Sequence, residues 1–173
     1  MDLIPDNCNY IEFVFLNNQS KKNDCYDVNL PQSLFSEFLM QLQKEKIKYF
    51  LKQYKCYVHK CLYLENSEEL KVYEKKMIHA KKLNDHVIAT FYIKDKRPYH
   101  MFPSTLNIHT VFYVKRMTFR IHNRIFVNFD VQFYPQSKKE VLKVFVNYNH
   151  DKDVDMTFIY KEIERLFKIM QLR

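Results

Sequence analysis

The sequence predicts an α+β domain: about eight antiparallel strands, one helix after the first strand and a second helix at the C-terminus. Three observations carry this. Residues 111–149 alternate apolar and polar side chains with period two, in three consecutive segments separated by turns. Leu34, Phe35, Phe38, Leu39 and Leu42 instead recur at helical spacing between about Pro31 and Lys48. No internal repeat or low-complexity linker divides the 173 residues, which predicts one domain, 1–173, long enough to bury a core.

The first strand is read at Asn9–Asn17, with Ile11, Phe13 and Phe15 on one face and Tyr10, Glu12, Val14 and Leu16 on the other. Residues 17–27 are polar and read as a loop. Pro31 and Ser33 supply start signals for the helix. Tyr57–Leu64 alternates weakly, and Asn66-Ser67-Glu68 turns the chain. Leu70–His79 and His86–Asp95 form two further strands around Leu83-Asn84-Asp85, and Pro98 and Pro103 bracket an irregular stretch.

Strand Phe112–His122 sets Tyr113, Met117, Phe119 and Ile121, with Lys115 an exception on that face, against Arg116, Thr118, Arg120 and His122. After a turn at Asn123-Arg124, Ile125–Tyr134 places Ile125, Val127, Phe129, Val131 and Phe133 opposite Asn128, Asp130 and Gln132. Val141–Asn149 puts Leu142, Val144, Val146 and Tyr148 opposite Lys143, Phe145, Asn147 and Asn149. Such half-apolar strands suit an antiparallel meander. Asp155 caps a last helix whose apolar stripe is Ile159, Ile163, Leu166, Phe167 and Met170.

Composition excludes several function classes. The chain has no glycine, which rules out the P-loop and the dinucleotide fingerprint and leaves the turns to Asn, Asp and Pro. Cys8, Cys25, Cys56 and Cys61 lack CxxC spacing, so they read as reduced thiols of a cytoplasmic or nuclear compartment, without zinc or disulfides. The seven histidines form no HExxH pair, and no nucleophile motif is present. No apolar run approaches the ~20 residues of a membrane span, and the acidic N-terminus is unlike a signal peptide, so no membrane partner is expected. Abundant Lys, Asn, Ile, Phe and Tyr fit an AT-rich genome such as that of a virus, a cytoplasmic plasmid or a parasite.

The formal charge is +8, which favours polyanionic partners such as RNA or nucleotides, although a lysine-rich wet surface would give the same number. Arg116 and Arg120 share a strand face about 13 Å apart, a span that suits successive phosphates. Lys76 and Lys94 would add point charges if they face the same space, and Asp130 would pair with or orient an arginine. Solvated cross-strand pairs are the plainer reading of the same residues. The only first-strand carboxylate is Glu12. Asp151, Asp153 and Asp155 read as an acidic helix start, since the Gly and Glu of a calcium loop are missing. Aromatic and basic residues mix in 44–60 (Lys46, Tyr49, Phe50, Lys52, Tyr54, Lys55, Tyr57), as in an RNA-stacking surface or as a helix end and a strand with inward rings.

The order of these elements resembles the triphosphate tunnel metalloenzymes, the CYTH-like fold, and among them the metal-dependent RNA 5′-triphosphatases of viral and fungal mRNA capping. The resemblance spans nearly the whole chain as a pattern of elements. It implies a closed barrel whose polar strand faces line a tunnel. In that family paired glutamates on the first and last strands hold Mg²⁺ or Mn²⁺, a basic strand holds the triphosphate, and an Asp follows it. Here Arg116-x-Thr118-x-Arg120 matches two of three basic positions, Asp130 matches the Asp, and Glu12 matches one metal carboxylate. Strand Lys143–Asn149 has no glutamate. The resemblance thus implies a degenerate or non-catalytic domain, with weak or no hydrolysis, that binds polyphosphate or RNA 5′ ends in capping or transcription. Two alternatives stand beside it: an active metal-dependent triphosphatase working with a capping partner, and an interaction subunit of a transcription complex or virion, as in Mediator head subunits with a similar barrel.

Overall fold

The computed structural model describes residues 4–17, 26–103, 110–149 and 156–171. Its elements in chain order are β1 (Tyr10–Phe15), α1 (Gln32–Gln43), β2 (Tyr49–His59), β3 (Leu62–Asn66), β4 (Leu70–Asn84), β5 (Val87–Arg97), β6 (Thr110–His122), β7 (Ile125–Tyr134), β8 (Lys139–Asn149) and α2 (Met156–Gln171). The strands close into an antiparallel barrel in the order β1-β5-β4-β3-β2-β6-β7-β8. The predicted class holds: an eight-strand antiparallel barrel, a helix after the first strand and a C-terminal helix.

Both helices cover one side of the barrel wall. Phe35, Phe38 and Leu42 of α1 and Ile159, Ile163 and Leu166 of α2 join a core with Ile11, Phe13 and Phe15 of β1. Val87, Ala89 and Phe91 of β5, Val127 and Phe129 of β7, and Val144, Val146 and Tyr148 of β8 belong to the same cluster. Phe129 sits at its centre, 5.2 Å from Phe38, 5.5 Å from Phe35 and 5.6 Å from Phe119 between ring centroids. Burying these large side chains is the main favourable term for the domain. Because a strand alternates, every residue next to these core positions must face the barrel axis.

Three sequence expectations are corrected. The helix ends at Gln43, not Lys48. Residues Lys44 to Lys48 have good helix propensity, but the chain must leave the helix to pair β2 with β6 from Tyr49 onward. The weak strand Tyr57–Leu64 is in fact the end of β2, a turn at Lys60-Cys61 and most of β3. The turns also use lysine: Lys46, Lys60 and Lys138 have φ of 56°, 55° and 54°, as Asn7 has 67°. Left-handed backbone costs a non-glycine residue about 1–2 kcal/mol, and this chain has no glycine to avoid it. Asp151, Asp153 and Asp155, with the cap assigned to Asp155, lie outside the described residues. Cys8, Cys56 and Cys61 are free thiols. Among the described residues no helix is long and apolar enough to cross a membrane.

Candidate functional site: a ring of charge inside the barrel

The inward face of the wall carries one charged side chain from every strand. On β1 it is Glu12, between the core residues Ile11 and Phe13. Asp130 of β7 and Lys143 of β8 are paired across the ladder, and Arg116 of β6 pairs with Asp130 on its other side. Lys52 of β2 lies opposite Arg116, and its ammonium reaches Glu65 of β3 at 3.0 Å. Lys75 of β4 pairs with Lys94 of β5. Five cations (Lys52, Lys75, Lys94, Arg116, Lys143) thus face three carboxylates (Glu12, Glu65, Asp130), a formal excess of two positive charges.

Each carboxylate is engaged. Asp130 is fully buried and accepts from Arg116 Nε at 2.7 Å and Nη2 at 2.8 Å, a bidentate pair. Gln132 Nε2 also donates to it at 3.3 Å. Glu65 accepts from Lys52 Nζ at 3.0 Å and the Tyr73 hydroxyl at 3.1 Å. Glu12 lies between two ammonium groups, Lys75 at 3.0 Å and Lys143 at 3.8 Å. Burial alone would raise the Glu12 pKa; the two lysines prevail and hold it at about 2.

The cations are less completely satisfied. Arg116 uses two of its five N–H groups on Asp130, and its guanidinium lies over the rings of Tyr54 at 5.5 Å and Phe145 at 5.2 Å. It is therefore held rigid along one edge with donors left on the other. Lys94 has no carboxylate partner among the described residues; its ammonium sits over Tyr10 at 4.5 Å and Tyr73 at 4.7 Å. Burial, and then the neighbouring Lys75, push its pKa down. Burial also lowers Lys143, against the pull of Glu12. Side-chain exposures of 16% for Lys75, 21% for Lys143, 22% for Arg116 and 30% for Lys52 leave room for a small molecule's atoms to touch them.

Around this ring the interior is neutral. Thr118 Oγ1 is 2.8 Å from Asn128 Oδ1, and Asn128 Nδ2 donates to Asn147 Oδ1 at 2.6 Å. Val14, Leu16, Ile88 and Phe145 form one apolar cluster, and Tyr54, Cys56 and Val114 another. Such walls lower the local dielectric and strengthen every charge between them.

The sequence-predicted residues divide. Arg116, Asp130, Glu12 and Lys94 meet in the ring. Arg120 is exposed, with its Nη2 donating to Asn123 Oδ1 of the following turn at 3.1 Å. His122 leaves the shared face, because a bulge between Arg120 and His122 turns its ring onto Phe158, 5.2 Å away. Lys76 lies on the outer face opposite Ile93, 59% exposed and 3.5 Å from Glu74; its neighbour Lys75 is the inward residue. Glu65, Lys75 and Lys143 carry no role in the sequence reading, and Lys52 enters it only in the mixed stretch 44–60. In residues 44–60 the two faces split: Lys52 and Tyr54 point inward, while Tyr49 and Leu51 are exposed outside.

The residues present do not fit a divalent cation. Mg²⁺ and Mn²⁺ need several oxygen donors. Glu12 has ammonium groups against both its oxygens, its same-face neighbours Tyr10, Val14, Thr90, Phe145 and Asn147 add no carboxylate, and the Asn147 oxygen is taken by Asn128. Among the described residues no three His, Cys, Asp or Glu side chains cluster as metal ligands would.

No family model and no curated protein matches the sequence. Solved structures do match the fold. The Schizosaccharomyces (S.) pombe Pct1 RNA triphosphatase superposes with a TM-score of 0.65 at 10% identity, over 88% of this chain and 82% of that one. The mimivirus capping enzyme triphosphatase gives 0.64 at 10% identity, over 96% of this chain and 90% of its own. A second Pct1 structure, in complex with the Spt5 CTD, gives 0.62 at 9% identity, over 87% and 82%. The chain has the tunnel fold of these fungal and viral RNA triphosphatases.

Proposed function

We propose that the barrel interior binds the polyphosphate end of an RNA or a nucleoside polyphosphate, and that it holds this group without hydrolysing it, as a capping or transcription component. The observation that carries the reading is the cation excess of the ring, and above all Lys94, part-buried among aromatic rings with no carboxylate in contact among the described residues. Packing gives no reason for such a group, since apolar residues of similar volume would fill the same space at lower cost. A polyphosphate would supply the missing negative charge, with the free edge of Arg116 donating to its oxygens.

Binding without hydrolysis follows from the carboxylates. A hydrolase needs a base for the attacking water and an electrophile for the leaving charge. Glu12, Glu65 and Asp130 are each committed to cations, and Glu12 is held far below the pKa range of a useful base.

A protein-binding role is favoured by a separate feature. Tyr49 and Leu51 share the outward face of β2 and are 51% and 69% exposed, an apolar surface that suits a protein partner. The fold relative Pct1 is seen with the Spt5 CTD.

The test is fluorescence anisotropy with one RNA oligomer carrying either a 5′-triphosphate or a 5′-hydroxyl. The triphosphate form should bind at least about tenfold tighter, and Arg116→Ala should abolish the difference. Equal affinity for the two ends would overturn the proposal. Phosphate release from the triphosphate RNA with Mn²⁺ would instead favour an active triphosphatase.

A further inference from the structure

Lys75 and Lys143 bring two unit positive charges to one buried carboxylate. β8 adjoins β1 on one side, and β4 lies one strand beyond β5 on the other, so the two ammonium groups reach Glu12 from both flanks. Two ammonium groups beside one carboxylate carry the same formal charge as a divalent cation beside it. We infer that Lys75 and Lys143 act as a built-in substitute for a divalent cation, so that the interior takes a polyphosphate in its metal-free form and discriminates against the metal chelate. The inference rests on the reading of the interior as a polyphosphate site.

Three points support it. The lysines are fixed by their surroundings: Lys75 lies over Tyr63 at 5.0 Å and Tyr92 at 4.8 Å, and Lys143 over Phe145 at 4.7 Å. Both keep accessible surface beyond their contact with Glu12, so a phosphate oxygen can reach them without breaking that pair. A free metal ion meets the opposite situation, because Glu12 can become a ligand only by expelling an ammonium group, and the ring already has excess positive charge. A metal-chelated polyphosphate brings less net negative charge and a hydrated cation, both unfavourable beside Lys75 and Lys143.

Calorimetric titration of the full chain with inorganic tripolyphosphate tests this. In EDTA the wild type should bind, and excess Mg²⁺ should weaken binding about tenfold or more. Mn²⁺ alone, followed by its paramagnetic resonance signal, should stay free in solution. Lys75→Met should lower the metal-free affinity about tenfold; Glu12→Gln/Lys75→Met, which removes both partners, should remain folded by its melting curve and show the same loss. Binding that appears only with Mg²⁺ or Mn²⁺, or Mn²⁺ binding that Glu12→Gln removes, would overturn the substitution while leaving the interior a polyphosphate site. No binding under either condition would overturn that underlying reading and the inference with it.

Discussion

On β8, Val144, Val146 and Tyr148 are fully buried under the helices, while Lys143, Phe145 and Asn147, each one residue away, face the barrel axis. The outer face follows ordinary core rules: large, mostly apolar side chains and interlocked rings. The inner face breaks them by placing eight charged residues between apolar clusters. Each paired charge has given up hydration that its partner only partly returns. The outer face therefore supplies stability, and the inner face spends some of it on the charges of the proposed anion site. The two faces should then respond differently to substitution.

The largest effect is expected on the outer face. Phe38→Ala removes a ring packed on Phe15 and Phe129 and should cost about 3–5 kcal/mol in denaturant unfolding, with tripolyphosphate affinity unchanged in the folded fraction. A loss below about 1 kcal/mol would mean that the helices are not the principal cover of the barrel. Asp130→Ala comes next. It leaves the Arg116 guanidinium without its bidentate partner and should cost about 3 kcal/mol, whereas Asp130→Ala/Arg116→Met should recover most of it. A double-variant loss equal to the sum of the Asp130→Ala and Arg116→Met losses would show that the pair is not coupled.

Acid should reveal Glu12. Its folded pKa, near 2, is below the ordinary value of 4.5, so the native state favours the ionised form. The resulting stability is present above pH 4.5 and disappears as pH falls towards 2, amounting to on the order of 3 kcal/mol. Stability curves between those limits should be steep for the wild type and flatter for Glu12→Gln; parallel curves would contradict the double lysine clamp. The smallest stability change is expected for Lys94→Met, which breaks no ion pair and should shift stability by less than about 1 kcal/mol. Its tripolyphosphate affinity should nevertheless fall about tenfold. A large destabilisation with unchanged affinity would make Lys94 structural.

The same contrast explains what could be read from sequence. β6, β7 and β8 were legible because one face is apolar at nearly every position, Lys115 being the exception within β6, so alternation fixes both the strand and its inward residues, Arg116 and Asp130 among them. In β4, Glu74-Lys75-Lys76 is polar on both faces, and alternation carries no signal for which of the two lysines faces inward. Lys143 was placed on the correct face but without a role, because its meaning depends on Glu12 across the barrel seam. The Lys52–Glu65 pair was hidden by the β2–β3 hairpin, whose turn at Lys60-Cys61 lacks the usual Asn-Gly signature. The bulge that removes His122 from the shared face has no local sequence mark.

The most direct test of the inner face as an anion site is a crystal structure of the chain with tripolyphosphate. Phosphate oxygens are expected on the free edge of Arg116 and on Lys94, inside the barrel, with the Arg116–Asp130 pair intact. Tripolyphosphate bound only to outer lysines such as Lys76, with the inner ring unchanged, would contradict it.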